Sequence, residues 1–228
     1  IVPVHYAGVA CEMNSIMKIA HRYKLLVIED AAHGVMAEYK GRPLGSIGHM
    51  GAYSFHETKN ITSGEGGALL VNDKCFTKRA EIIREKGTNR SQFFRGQTDK
   101  YTWVDIGSSY LPGEMIAAFL WAQMEAAESI TKMRLDIWRR YHEALAPLEV
   151  SGMLRRPIIP KNCQHDAHMY YVLLVPGINR QAVLGELKSN GIGAVFHYVP
   201  LHSSPAGKRL GRTCGDLSVT DSVSERII

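Results

Sequence analysis

Between Val2 and Asp30 a short apolar segment gives way to an amphipathic stretch and then to a second apolar segment, and this alternation restricts the fold more than any other feature. Residues 12 to 24 place Met13, Ile16, Met17, Ala20 and Tyr23 at helical spacing, while Val2 to Val4 and LLVI at 25 to 28 read as strands. A strand, helix, strand unit with short connections favours parallel strands covered by the helix, so the expected class is α/β with a mainly parallel, doubly wound sheet. Glu29 and Asp30 follow the second strand directly. They are expected at its carboxyl end, where open α/β sheets place their ligands.

The remaining chain divides by its patterns. A turn with Gly41, Pro43 and Gly45 leads to an apolar run, MGAYSF at 50 to 55, then to the polar stretch HETKNITSGEGG and to ALLV at 68 to 71, which resumes the sheet. Residues 74 to 86 read as a helix. Residues 87 to 112 follow neither period and read as a long loop, functional or disordered, and its aromatics Phe93, Phe94, Tyr101 and Trp103 weigh against disorder. From Gly113 to Ala146, Met115, Phe119, Ala122, Ala126, Ile130, Met133 and Ile137 predict one long amphipathic helix between Pro112 and Pro147. Beyond it come a strand from His168 to Val175, a helix opened by Asn179 and stopped at Gly191, and a strand ending in HYVPLH at 197 to 202. The expected organisation is part of a large domain over 1–112, a connecting helix over 113–149, and a small α+β domain over 150–228. Ile1 reads as opening inside a buried strand and DSVSERII as an unfinished helix, so the large domain is expected to be truncated at its N-terminal side and the small one to be incomplete.

Composition removes several function classes. The longest apolar runs of this 228-residue chain are far shorter than the roughly 20 residues of a membrane span, and no targeting segment is visible, so a cytoplasmic protein is expected. Cys11, Cys75, Cys163 and Cys214 have no C-x-x-C spacing, which argues against a zinc site and against a disulfide framework; no metal site is expected. The net charge of +5 suits a phosphorylated ligand. Arg134, Arg139 and Arg140 share a predicted helix with Glu125, Glu128 and Asp136, which makes a solvated mixed-charge face rather than a nucleic-acid surface.

Lys59 follows a short strand in SFHETKN and precedes Gly64, Gly66 and Gly67. A polar-loop lysine is ordinarily a surface residue, and a glycine cluster beside it can wrap a phosphate. Asp30 at a strand end suits a helix cap, a ribose-binding acid or the partner of a ring nitrogen. The ribose reading needs an upstream G-x-G-x-x-G, which is missing. Together, Lys59 and Asp30 supply the two parts that pyridoxal phosphate needs: an amine for the imine, and a carboxylate that keeps the pyridine nitrogen protonated.

VIEDAAHG at 27 to 34, GAYSFHETKN at 51 to 60 and GEGGALLVND at 64 to 73 resemble successive signatures of the DegT-type sugar aminotransferases, which are fold-type I enzymes dependent on pyridoxal phosphate. HYVPLH resembles the small-domain motif of that family, so the resemblance covers nearly the whole chain. It implies that Lys59 carries the cofactor as a Schiff base and serves as the catalytic base, that Asp30 pairs with the pyridinium nitrogen, and that Ser54 binds the cofactor phosphate. His33 stands where many members have Gln beside the ring hydroxyl. GSSYL at 107 to 111 departs from the family's G-x-N-Y-R, so Ser109 replaces an Asn that reaches the neighbouring subunit's cofactor phosphate. The resemblance moves His202 towards the substrate pocket. Asn89 and Arg90, in the long loop, are the candidate pyrophosphate contacts, since a guanidinium offers several donors in one plane. The stretch at 84 to 111 narrows the resemblance to members that aminate a dTDP-linked 4-keto-6-deoxy sugar with glutamate as donor. A homodimer with shared active sites is implied, and the 228-residue segment alone is expected to be inactive. Dehydratase relatives carry histidine at the Schiff-base position, which Lys59 argues against; the alternatives that stay open are a regulatory protein that binds the cofactor without donor chemistry, a plain nucleotide-binding α/β domain, and an aminotransferase of another nucleotide-sugar specificity.

Overall fold

In the computed structural model, which describes residues 1–228, helix α1 (Met13–Tyr23) buries Met13 and Ala20 and turns Ile16 and Met17 to the same apolar cluster, as their spacing requires. The helix ends on Lys24 in the left-handed conformation (φ 51°), and the Leu25 amide still donates to the Ala20 carbonyl. Because residues 24 and 25 finish the helix, the strand expected at 25 to 28 begins later: β1 spans Ile28–Asp30, and Leu25 and Leu26 stay exposed. The first residues run beside it through backbone bonds from Ile28 N to Ile1 O, Asp30 N to Pro3 O and His5 N to Asp30 O, with a parallel bridge between Val4 and Asp30. Ile1, Val2 and Val4 are exposed, which corrects the expectation of a buried opening strand.

A hairpin follows, β2 (Glu38–Tyr39) against β3 (Arg42–Pro43), with Lys40 and Gly41 both at positive φ as a tight two-residue turn demands. Strand β4 (Met50–Ser54) lies parallel to β1, whereas β5 (Gly67–Val71) is antiparallel to β4, giving the order β1-β4-β5. The sheet is thus parallel up to β4 and has one antiparallel edge. The glycine-rich segment between β4 and β5 carries no crossover helix, and without one the chain returns antiparallel.

Helix α2 (Thr77–Arg84) follows β5. The loop expected over 87 to 112 carries more order than its sequence suggests: a short helix, α3 (Arg90–Phe94), and bridges pairing Thr88 with Trp103 and Glu85 with Ser109. The single helix expected over 113–149 is three helices, α4 (Glu114–Glu125), α5 (Ala127–Ala144) and α6 (Ala146–Val150). The first break, at Ala126, lets α5 bury Ala127 in a cluster with Val35, Phe55 and Ile61; the second precedes Pro147, whose nitrogen has no hydrogen to continue the ladder.

The chain forms two compact units, residues 1–136 with 159–168, and residues 137–158 with 169–228. This division differs from boundaries at 112 and 149, because after β6 (Leu154–Arg155) the strand β7 (Cys163–Gln164) pairs with β2 and brings 159–168 back to the first unit. In the second unit β8 (Leu173–Leu174) pairs with β6, and the strand expected from His168 is confined to those two residues. Helix α7 (Arg180–Ser189) opens on Asn179, whose side chain accepts the Ala182 amide, and Gly191 follows its end at φ 75°. No strand forms at 192 to 202. A single helical turn at Leu201–Ser203 precedes α8 (Pro205–Leu210), and the place beside β8 is taken instead by Ile227 and Ile228, which pair with Leu173 and Val172 after α9 (Ser218–Arg226) ends. The helix read at 221 to 228 therefore begins earlier and ends before Ile227. No helix is long and apolar enough to cross a membrane.

Candidate active site

The pairing of Asp30 with Ala52 in the parallel ladder decides which side chains share a face, since alternate residues of a strand point to opposite sides. Asp30 and Ser54 share one face; Glu29, Gly51 and Tyr53 share the other. On that second face Glu29 is fully buried and accepts hydrogen bonds from the amides of Gly45 (3.0 Å), Ile47 (2.6 Å) and Gly48 (2.6 Å) and from Nε2 of His5 (2.9 Å). Nδ1 of His5 accepts the Cys11 amide, so Nε2 carries the proton that His5 donates. Burial pushes the Glu29 carboxyl up, but the His5 bond and the three amides outweigh it and hold the group below the usual range. Glu29 thereby clamps the 45–48 turn to the sheet. This is structural work, and it aims the neighbouring Asp30 to the other face.

The Asp30 carboxylate accepts the Ala32 amide through Oδ1 at 3.1 Å, which shapes the turn that delivers His33. Nδ1 of His33 accepts the Ala7 amide at 3.2 Å. Ala7 reaches that position with φ 58°, in the tight turn Tyr6–Gly8 that ends the first strand segment. Three carboxyl ends, those of the Val4 segment, β1 and β4, thus converge on one edge. Lys59 lies beyond β4 in a turn closed by its amide on the His56 carbonyl, and it is half-buried. Ser54 accepts the His56 amide at 3.4 Å and stands at the head of the same turn.

A group that sequence reasoning missed completes this region. The imidazole of His168 stacks on that of His33, with centroids 3.9 Å apart and planes inclined by 19°. Burial pushes the His168 imidazole down to about 3, with further contributions from His33, Lys59 and Arg134, so Lys59 is within electrostatic reach of the ring. Asp166 is buried, and burial raises its carboxyl to about 7 against the pull of its own amide, the His168 amide and Arg134. Its carbonyl accepts from Asn60 Nδ2 at 2.8 Å, and Gly8 packs so close that a β-carbon there would meet Asp166 Oδ1 at 2.1 Å. Arg134 on α5 donates to the carbonyls of Ala167 (3.1 Å) and His168 (2.8 Å). The signal available in the sequence was HDAH at 165 to 168, a titratable cluster between apolar runs, together with an arginine on a helix face that reads as solvated.

The other candidates have other partners. Asn89 Oδ1 accepts the Thr102 amide at 2.7 Å, and the Arg90 guanidinium lies over Phe94 (5.1 Å) and Tyr101 (5.8 Å), so both residues organise the 85–105 excursion. Ser109, with Tyr110 and Pro112, lines a cavity of about 880 Å³ together with Gly66, Gly67 and α2; that cavity includes neither Lys59 nor Asp30. His202 belongs to the second unit, where its Nε2 meets Asp221 of α9 at 2.9 Å.

The residues around Lys59 suit pyridoxal phosphate by their chemistry. They comprise an amine, a strand-end carboxylate with one oxygen uncommitted, a histidine whose Nε2 carries the proton, and a hydroxyl beside a glycine-rich turn. No cluster of three or more metal-ligating side chains exists in the chain.

A model of the DegT/DnrJ/EryC1/StrS aminotransferase family matches residues 1–228. An uncharacterized protein of Methanocaldococcus jannaschii is 38% identical over 100% of this chain and 60% of its own length. The UDP-4-amino-4-deoxy-L-arabinose–oxoglutarate aminotransferase of Shewanella sediminis is 30% identical over 100% of this chain and 61% of its own. Among solved structures, an aminotransferase from Psychrobacter cryohalolentis superposes with a TM-score of 0.87 at 28% identity, covering 100% of this chain and 62% of that one. The chain spans about 60% of the length of the curated relatives it matches.

Proposed function

The chain belongs to the DegT/DnrJ/EryC1/StrS aminotransferase family, and from that premise we propose that the protein transfers an amino group from glutamate to the 4-keto position of a dTDP-linked 4-keto-6-deoxy sugar, yielding the 4-amino-4,6-dideoxygalactose nucleotide. The observation that carries the reading is that the Lys59 turn is tied through Asn60 to Asp166, two residues from the His168 ring that stacks on His33, past the strand end that bears Asp30. The choice of sugar is supported by the stretch at 84 to 111.

Pyridoxal phosphate, when bound, supplies a covalent carrier for the amino group and a ring that accepts electrons. Lys59 would be the amine that holds it, and its Nζ would also be the base that moves a proton on the substrate carbon. Asp30 would keep the ring nitrogen protonated, stabilising charge that develops only during reaction. His33 would serve the ring hydroxyl, and Ser54 the phosphate. The family resemblance supports a substrate side in which Asn89 and Arg90 would leave their partners within the 85–105 excursion for the pyrophosphate and His202 would serve the sugar, within a homodimer that shares its sites.

The test combines spectroscopy with product analysis. Glutamate is expected to bleach the absorbance of the bound cofactor with release of 2-oxoglutarate, and the dTDP-linked keto sugar to restore it with a new amino sugar detected by mass. Lys59→Ala is expected to abolish both half-reactions. Faster turnover of a UDP-linked keto sugar would overturn the nucleotide assignment, and a cofactor that binds but never exchanges its amino group would make the protein a regulatory relative.

A further inference from the structure

His33 and His168 stand 135 positions apart in sequence, yet their rings are stacked, with centroids 3.9 Å apart and planes within 19° of parallel. Two charged imidazoles would repel at that separation, and the hydrogen bonds assign the state of one ring directly. The Ala7 amide donates to Nδ1 of His33, so the His33 proton sits on Nε2. Tyr6 closes on the same ring from the side, with centroids 5.0 Å apart. His33 is held on three sides: by an amide, by Tyr6 and by His168.

The mount of His168 is built from backbone rather than from its own ring. Its amide donates to Asp166 Oδ1 at 3.1 Å, its carbonyl accepts from Arg134 Nη2 at 2.8 Å, and the preceding Ala167 sits at φ 53°. A non-glycine residue in the left-handed region persists only where its surroundings hold it, and here Nε of Arg134 bonds the Ala167 carbonyl while His165 Nδ1 accepts its amide. The same segment reaches the lysine turn, because Asn60, the residue after Lys59, donates to the Asp166 carbonyl at 2.8 Å from a buried position. One unbroken line of contacts therefore runs from Lys59 through Asn60, Asp166 and His168 to His33. Burial, and after it His33, Lys59 and Arg134, push the His168 imidazole down and keep the ring neutral.

We propose that His168 is a positioning residue of this site: its ring holds His33 in one orientation and one tautomer, and Asp166 with Asn60 ties that geometry to the segment bearing Lys59. The role needs a flat ring, not a titrating one. Only its consequence for cofactor affinity rests on the pyridoxal phosphate reading given above; the consequence for His33 does not.

The experiment reads both in the full-length protein. Nitrogen-15 spectra of the histidine side chains, recorded without cofactor, report the His33 tautomer, and an absorbance titration with pyridoxal phosphate reports affinity. Wild-type His33 is expected as a single Nε2–H species. His168→Ala is expected to give an averaged mixture of both tautomers and about ten-fold weaker binding, the loss of one well-placed hydrogen bond. His168→Phe keeps a flat ring of similar size and is expected to restore both signals. An unchanged His33 signal in His168→Ala, or a Phe variant no better than Ala, overturns the proposal. If the Ala variant does not fold, wild-type His33 protonated on Nδ1, or a mixed tautomer in His168→Phe, overturns it equally. If the variants show the expected His33 changes but the wild type does not bind pyridoxal phosphate, the positioning role is supported and the cofactor reading is refuted instead.

Discussion

Replacing Asp166 by Asn is expected to stabilise the protein at neutral and alkaline pH. The carboxyl is buried against Gly8, and its value in the fold, about 7, stands against 3.8 for an unhindered aspartate. A raised carboxyl means that the folded state binds the proton more tightly than the unfolded chain. Its contribution is therefore fully present below pH 3.8 and is lost as pH rises through 7. At about 1.4 kcal/mol per unit, the charged form costs on the order of 4 kcal/mol once the pH exceeds 7. Asparagine keeps the shape and the Oδ1 acceptor for the His168 amide but has no charge to bury. The neighbouring His168 runs the other way: its imidazole is depressed to about 3, so its contribution is present above pH 6.5 and lost as pH falls towards 3. In the wild type these two opposed dependences largely cancel between pH 4 and 6.5. In Asp166→Asn only the histidine's remains. Urea denaturation of both proteins from pH 4 to 9 is expected to show a variant more stable by several kcal/mol at pH 8, with stability falling as the solution is acidified. A variant no more stable than wild type at pH 8, or one with an unchanged profile below pH 7, would refute the reasoning.

Other substitutions probe the rest of the site. Asp30→Asn is expected to retain cofactor but lower kcat by roughly 3 kcal/mol of transition-state stabilisation, measured in single-turnover half-reactions; near-normal turnover would give Asp30 another role. Glu29→Gln should lower stability by roughly 2 to 3 kcal/mol at pH 7, because an amide cannot accept from three backbone amides and His5 at once. Since Glu29 is held low in the fold, that difference should begin to shrink below pH 4.5, where the unfolded chain takes up the proton, and be lost as pH falls through the lower folded value. Gly8→Ala is expected to fail to fold or to lose His33 order, since Gly8 sits at φ 74° and a β-carbon would overlap Asp166; a soluble variant with an unchanged melting temperature would contradict the geometry.

Much of the local structure was legible because its causes are local. The spacing of Met13, Ile16, Met17 and Ala20 makes one apolar face, Asn179 and Gly191 bracket α7 through their own backbone preferences, and the acids after LLVI must stand at a strand end. The family resemblance likewise rests on contiguous motifs such as SFHETKN. Tertiary structure alone decided where the 113–149 pattern breaks, since the turn at Ala126 exists to bury Ala127, which helical spacing does not encode. It also decided the fate of 192 to 202: a segment with strand-like composition forms a strand only beside a free edge, and Ile227 and Ile228 occupy the one at β8. The same holds at the candidate site. Lys59, His33 and Asp30 lie on neighbouring elements and could be grouped by reading along the chain. His168 and Asp166 join them only because β7 pairs with β2 more than a hundred residues away in sequence, and such a pairing is set by the closure of the whole unit rather than by any local preference of HDAH.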